Sequence, residues 1–265
     1  MAVKIAVHSA SFSYGQKTVW QNISFDVEKG ETLSILGPNG CGKTTLLNCI
    51  HGNLKLKDGD IRIDDQDIQS INVMEIAQKI GYVFQEHSAP FPYSSLQIVK
   101  MGRAPHLGIF QSPTFQDTAM ALKVMEDMGI SHLAYRRYTE LSGGERQLVL
   151  IARTLCQDPE IILFDEPTSH LDFKNQALVL QTLSRLAAKG FTIIMTSHFP
   201  NHAWLLSSKV AMMRPSGFVA VGLAEEVMTE ENLSDTYGMH IKLYKGVSGD
   251  STINFCTPEF NLAQQ

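Results

Sequence analysis

The chain has 265 residues, 44% of them hydrophobic, and 22 Lys and Arg against 27 Asp and Glu, a net charge of −5. A chain of this length buries roughly 75% of the surface its unfolded form exposes, so the core needs no disulfide staples. The acidic balance argues against nucleic-acid binding through bulk charge. The longest non-polar run, 218–224, is far short of the ~18 apolar residues of a membrane span.

The amino terminus lacks a basic flank followed by a long apolar stretch, so no signal peptide is expected. Cys41, Cys49, Cys156 and Cys256 show no C-x-x-C spacing and read as free thiols of a reducing compartment. Short alternating or apolar runs at 4–8 and 23–27 predict strands, separated by a polar turn at Gly15-Gln16-Lys17. Residues 32–36 are an apolar run ending in Gly37-Pro38-Asn39-Gly40, which suits a buried strand entering a glycine loop. Residues 44–51 follow with helical spacing. Further strands are predicted at 61–63 and 80–84. Between Glu86 and Glu140 the texture changes, with Pro90, Pro92, Pro105 and Pro113 and an amphipathic run at 118–128, and the stretch reads as a mostly helical insertion. Helices at 143–155 and 176–188 alternate with buried strands at 161–164 and 191–196. This alternation predicts an α/β fold with a mainly parallel sheet. The tail after Tyr237 carries no readable pattern.

Gly37-Pro38-Asn39-Gly40-Cys41-Gly42-Lys43-Thr44 matches G-x-x-x-x-G-K-[ST]. Glycines let backbone N–H groups turn inward around phosphate oxygens, and the positive end of the following helix points at the same anion. Lys43 is expected to reach the β and γ phosphates, and the Thr44 hydroxyl to ligate Mg²⁺. A chance match in a chain of this size is on the order of one in a hundred. Cys41, at a helix N-terminus, is a small residue tolerated in the loop, with a thiol expected to be open to alkylation when no nucleotide is bound. Residues 161–166, Ile-Ile-Leu-Phe-Asp-Glu, form an apolar strand ending in two acids. In an open α/β sheet that end is expected beside the phosphate loop. Asp165 would hold Mg²⁺ through water, and Glu166 would polarise the attacking water.

Leu141-Ser142-Gly143-Gly144-Glu145-Arg146-Gln147 opens a helix with Ser142 as N-cap. Alone it is an ordinary capped helix. In its order and spacing it resembles the signature of the ATP-binding cassette (ABC) ATPases, and the resemblance covers most of the chain. Tyr14 resembles the aromatic that stacks on adenine. The loop residues Asn39, Gly40, Cys41, Gly42, Lys43 and Thr44, with Thr45 after them, match the Walker A element. Gln85 resembles the glutamine that serves catalysis and touches Mg²⁺. Ser142, Gly143, Gly144 and Glu145 stand for the signature, with Glu145 replacing Gln. Asp165 and Glu166 match the Walker B aspartate and the catalytic glutamate, Ser169-His170-Leu171-Asp172 resembles the D-loop with His170 where Ala is common, and His198 resembles the switch histidine. Three other histidines, His106, His170 and His202, have no assigned role.

The resemblance implies a P-loop NTPase core (1–85 and 156–240) with an N-terminal antiparallel β subdomain, an inserted α-helical subdomain at 86–155 and a C-terminal tail at 241–265. It implies ATP and Mg²⁺ as cofactors and a homodimer closing around two ATP molecules. Two transmembrane permease subunits and an extracytoplasmic binding protein would be partners, with no nucleic acid. The chain would lie at the cytoplasmic face of the inner membrane. The segment Met101-Gly102-Arg103-Ala104-Pro105-His106-Leu107-Gly108 resembles ATPases of iron-siderophore, haem and cobalamin importers, with Arg103 or His106 expected to meet a permease helix. Residues 197–203 resemble the same subgroup, including molybdate and tungstate importers. Metal-chelate import is therefore the expected function, with oxyanion import as the alternative and a soluble iron–sulfur assembly ATPase behind it. A P-loop kinase or GTPase is disfavoured, because it leaves Leu141-Ser142-Gly143-Gly144-Glu145 unexplained.

Overall fold

The computed structural model describes residues 2–85, 92–108, 111–248 and 251–259. In chain order the elements begin with β1 (Val3–Tyr14), β2 (Lys17–Glu28), β3 (Thr32–Leu36), α1 (Lys43–Ile50), β4 (Asp58–Ile63) and β5 (Gln66–Asp67). Then come α2 (Val73–Lys79), β6 (Ile80–Val83), α3 (Ser95–Lys100), α4 (Phe115–Asp127), α5 (Gly143–Cys156), β7 (Ile161–Phe164) and α6 (Phe173–Ala188). The chain continues with β8 (Thr192–Ser197), α7 (Pro200–Leu206), β9 (Lys209–Arg214), β10 (Gly217–Leu223), α8 (Ala224–Val227), α9 (Glu230–Tyr237), β11 (Ile241–Ser248) and β12 (Ser251–Pro258). This is an α/β fold with mixed sheets. It divides into two compact units, Met1–Ile68 with Ile194–Gln265, and Gln69–Ile193.

In the first unit β1 and β2 form an antiparallel hairpin closed at Tyr14 and Lys17, and β1 also pairs antiparallel with β4. From Ile23 through Phe25 to Val27 β2 buries every second residue, as in a half-buried strand, and Trp20 is buried three positions before Ile23. All five residues of β3 are buried, as suits a strand covered on both faces. It pairs in parallel with β9, which pairs antiparallel with β10. The β11–β12 hairpin lays Ile241, Leu243 and Cys256 against a core containing Leu36, Ala203, Val210, Met212 and Leu233. Asn201 holds it there. Its side-chain amide donates to the Cys256 carbonyl at 3.2 Å, and its carbonyl oxygen accepts from the Cys256 N–H at 2.8 Å.

In the second unit β6 pairs in parallel with β7, from Ile80 opposite Ile161 to Val83 opposite Phe164. Between Pro92 and Cys156 the described residues form helices and 3-10 turns with no named strand, so this stretch is helical as the sequence predicts. α5 is its centre, burying Leu148, Val149, Ile151 and Ala152. The Gln157 side chain closes the C-terminal end of α5 by donating to the carbonyls of Ala77 and Ile80.

Several elements differ from the sequence reading. β1 runs on to Tyr14 with four register shifts in its pairing with β2, three of them between Val7 and Ser13, where the alternation breaks. α2 and α3 are too short for a readable helical period. The tail after Tyr237 folds as a hairpin whose inward residues, Ile241, Leu243 and Cys256, are too few to advertise a strand.

Candidate functional site

The first unit carries the phosphate loop. β3 ends at Leu36, the Gly37 N–H donates to the Ser197 carbonyl at 3.3 Å, and α1 starts at Lys43. That bond ties the loop's first residue to the residue before His198. Gly42 sits at φ +105°, a conformation that L side chains rarely adopt, and a Cβ there would lie 2.6 Å from Val19 Cγ1 and 2.8 Å from Trp20 Cδ1. Only glycine fits. Lys43 is buried, and its ammonium donates to the carbonyls of Gly37 at 2.9 Å and Pro38 at 3.1 Å, so the charge lies inside the loop's curve. Among the described residues, the backbone N–H groups of Asn39, Gly40 and Gly42 have no hydrogen-bond partner. Unpaired donors around a buried cation make an anion cradle. Thr44 is exposed, and Thr45 half-buried beside it.

Cys41 departs from expectation. Its thiol is 1% exposed, so it is not open to alkylation and acts as a filler packed against Gly37. All four cysteines are free and buried. Burial pushes the thiol pKa of Cys49 up to about 12 and that of Cys156 to about 11. Tyr14 ends β1 with half its surface open and its ring edge-on to Phe12, centroids 4.9 Å apart. His198 is half-buried, its ring 3.9 Å from that of Phe199. Phe199 also contacts His202, whose pKa is lowered by burial and then by the charge of His198.

The second unit carries the carboxylates. β7 delivers Asp165, 2% exposed, whose N–H donates to the Val83 carbonyl at 3.0 Å. The Tyr82 hydroxyl donates to Asp165 Oδ2 at 3.4 Å, and burial followed by the Asp165 charge keeps that phenol protonated. Glu166 is buried in a left-handed conformation, φ +46°, and its Oε2 accepts from the Ser169 hydroxyl at 2.8 Å. Strain of this kind persists where the surroundings over-determine it. Gln85 is exposed at the end of β6. His170, next in the same segment, is also left-handed and exposed.

Ser142 caps α5 in a reciprocal box. Its hydroxyl accepts from the Glu145 N–H at 3.3 Å, and Glu145 Oε2 accepts from the Ser142 N–H at 2.8 Å. The backbone N–H of Ser142 and then the Arg136 guanidinium, 2.8 Å away, hold the Glu145 carboxyl below its ordinary range. Glutamate in place of glutamine is therefore accommodated at the helix's positive end. A Cβ on Gly144 would fall 2.2 Å from Asn175 Oδ1, and Asp172 accepts from the Asn175 N–H at 2.8 Å while capping α6. The signature and Asp172 thus meet at Asn175. Tyr82, Arg136 and Asn175 were not singled out from sequence, and nothing in their local pattern marks them; Ser169 was read as part of the D-loop, without its contact to Glu166.

Arg103 donates to Asp117 and to the Cys156 carbonyl, both at 3.1 Å, and His106 lies 2.7 Å from the Gln157 carbonyl. These contacts fasten the segment to the end of α5. Thr44 and Asp165 offer the hard oxygen donors that Mg²⁺ prefers. Among the described residues no group of three His, Cys, Asp or Glu is placed to hold a metal. No helix of the described residues is long and apolar enough to cross a membrane.

The profile of the ABC transporter family matches residues 20–169. The chain is 37% identical to the molybdate import ATP-binding protein MolC of Haemophilus influenzae, over 91% of this chain and 90% of that protein. It is 37% identical to a probable iron chelatin transport ATP-binding protein of Helicobacter pylori, over 88% of this chain and 92% of that one. A solved metal-chelate type ABC transporter in an inward-facing conformation superimposes with a TM-score of 0.89 at 34% identity, covering 98% of both chains. The loop, the carboxylates and the signature agree with these likenesses, and the chain belongs to the ABC transporter family as an ATP-binding, ATP-hydrolysing subunit with membrane permease partners.

Proposed function

We propose that this chain powers import of a metal chelate, of the iron-siderophore, haem or cobalamin type, as a homodimer beneath two permease subunits served by an extracytoplasmic binding protein. It would be held at the cytoplasmic face of the inner membrane by those permeases. The observation that carries the cargo reading is the likeness to the metal-chelate type transporter over nearly all of both chains. Oxyanion import is the second reading, favoured by the 37% identity to the molybdate protein, the same as that to the iron chelatin protein.

In the proposed chemistry, the N–H groups of residues 39–45 and the Lys43 ammonium hold the ATP phosphates, and Tyr14 stacks on adenine. Thr44, Asp165 and Gln85 would hold Mg²⁺, which when bound neutralises charge on the phosphate oxygens. Glu166 takes a proton from water as the water oxygen bonds to the γ phosphorus and the bond to ADP breaks. His198 orients the γ-phosphate. Ser142, Gly143, Gly144 and Glu145 present the start of α5, with Asp172 nearby, to the nucleotide of the second copy. The helical segment 86–155 would receive the permease.

A deletion strain tests the cargo, with uptake of labelled iron-siderophore, haem, cobalamin and molybdate measured side by side. Loss of one of the first three supports chelate import, and loss of molybdate alone selects the second reading. Normal uptake of all four overturns both and leaves the ATPase assignment standing.

A further inference from the structure

Trp20 lies at the centre of an aromatic row that no motif includes. Its side chain is 0% exposed, and its indole Nε1 has no hydrogen-bond partner among the described residues. The pyrrole edge is the wall that Gly42 rests on: an added Cβ at Gly42 would lie 2.8 Å from Trp20 Cδ1 and 3.1 Å from Nε1. On its other side Trp20 meets Phe12, centroids 5.8 Å apart, and Phe12 meets Tyr14 at 4.9 Å. Tyr14, Phe12, Trp20 and Gly42 therefore form one contiguous series from the exposed ring at the end of β1 to the phosphate loop.

We propose that Trp20 is a positioning residue for the nucleotide, bracing Gly42 in its left-handed conformation and tying the phosphate loop through Phe12 to Tyr14. The inference rests on the nucleotide reading of those two sites. A loop whose donors must converge on phosphate loses affinity when it is free to sag, because binding then has to order it. Close packing makes the brace stiff. The unpartnered N–H adds a second property. A buried donor without a partner carries a desolvation cost that a phenyl ring would avoid, and this donor edge lies directly against Gly42 of the loop. Trp20 is thus a built-in reporter of loop state.

The chain has two tryptophans, so Trp204→Phe leaves Trp20 as the sole indole. In that full-length variant, ADP is expected to shift the indole emission, and inorganic tripolyphosphate, which lacks a base for Tyr14, is expected to do the same. Trp20→Leu should raise the KM for ATP about tenfold while kcat stays within about threefold, and Trp20→Phe should recover most of the loss, since it keeps a ring against Phe12. If ADP binds by calorimetry and the emission does not move, or if Trp20→Leu has the wild-type KM, the proposal is wrong. The emission arm leaves Trp20 unchanged and decides alone if Trp20→Leu does not fold. A wild-type chain that fails to bind ADP would instead bring down the nucleotide reading beneath it.

Discussion

Glu166 is held by contacts that its own motif does not contain. Its left-handed backbone and the Ser169 hydroxyl, 2.8 Å from Oε2, aim the carboxylate. Ser169→Ala removes that hydrogen bond and leaves the carboxylate in place. The expected result is roughly a tenfold fall in phosphate release with ATP affinity unchanged. Steady-state kinetics check it, and an unchanged kcat would mean that the backbone alone orients Glu166. Lys43, Asp165 and Glu166 could be put forward from sequence because phosphate and water chemistry call for those residue types at that spacing. Tyr82 could not, nor could the contact of the D-loop Ser169 with Glu166, since each is a single contact that appears only after folding. Cys41 misled in the opposite direction. A thiol at a helix start suggests reactivity, but its burial, decided by packing against Gly37, removes access.

At the level of elements, α4 shows how a carboxylate anchors a helix and the segment beside it. Asp117 accepts from the Thr114 N–H and hydroxyl, both at 2.8 Å, and from Arg103 at 3.1 Å. The Thr114 backbone donor, then its hydroxyl and Arg103, bring its pKa down to about 2. A depressed carboxylate adds stability that is fully present above its unfolded value near 3.9 and is lost as pH falls through the folded value. Asp117→Asn should therefore melt roughly a few degrees below wild type from pH 7 to 5. The gap should close between about pH 4 and 2. A gap that stays constant down to pH 2 would assign the effect to shape and not to charge. Long amphipathic helices such as α4 and α5 were legible because a 3.6-residue period needs several turns to show. Short α2 and α3 fall below that length. The β11–β12 hairpin owes its place to Asn201 and to a core supplied by distant residues, neither visible in its own sequence.

For the whole molecule, the signature helix start, with Ser142 and Asp172 as caps, is proposed to complete the nucleotide site of a second copy. Glu166→Gln with ATP should shift the purified chain towards a dimer in light scattering. Adding Ser142→Arg should abolish the shift by putting a long cation where the phosphate would sit. An ATP-bound dimer indifferent to that substitution would contradict the shared site. The most direct test of the account is phosphate release by the purified chain with ATP and Mg²⁺, wild type against Glu166→Gln, with nucleotide affinity measured alongside. The account predicts that wild type hydrolyses ATP only with the metal, and that Glu166→Gln binds ATP as tightly but hydrolyses it about 10²–10⁴-fold more slowly. Equal hydrolysis by the two proteins would contradict it.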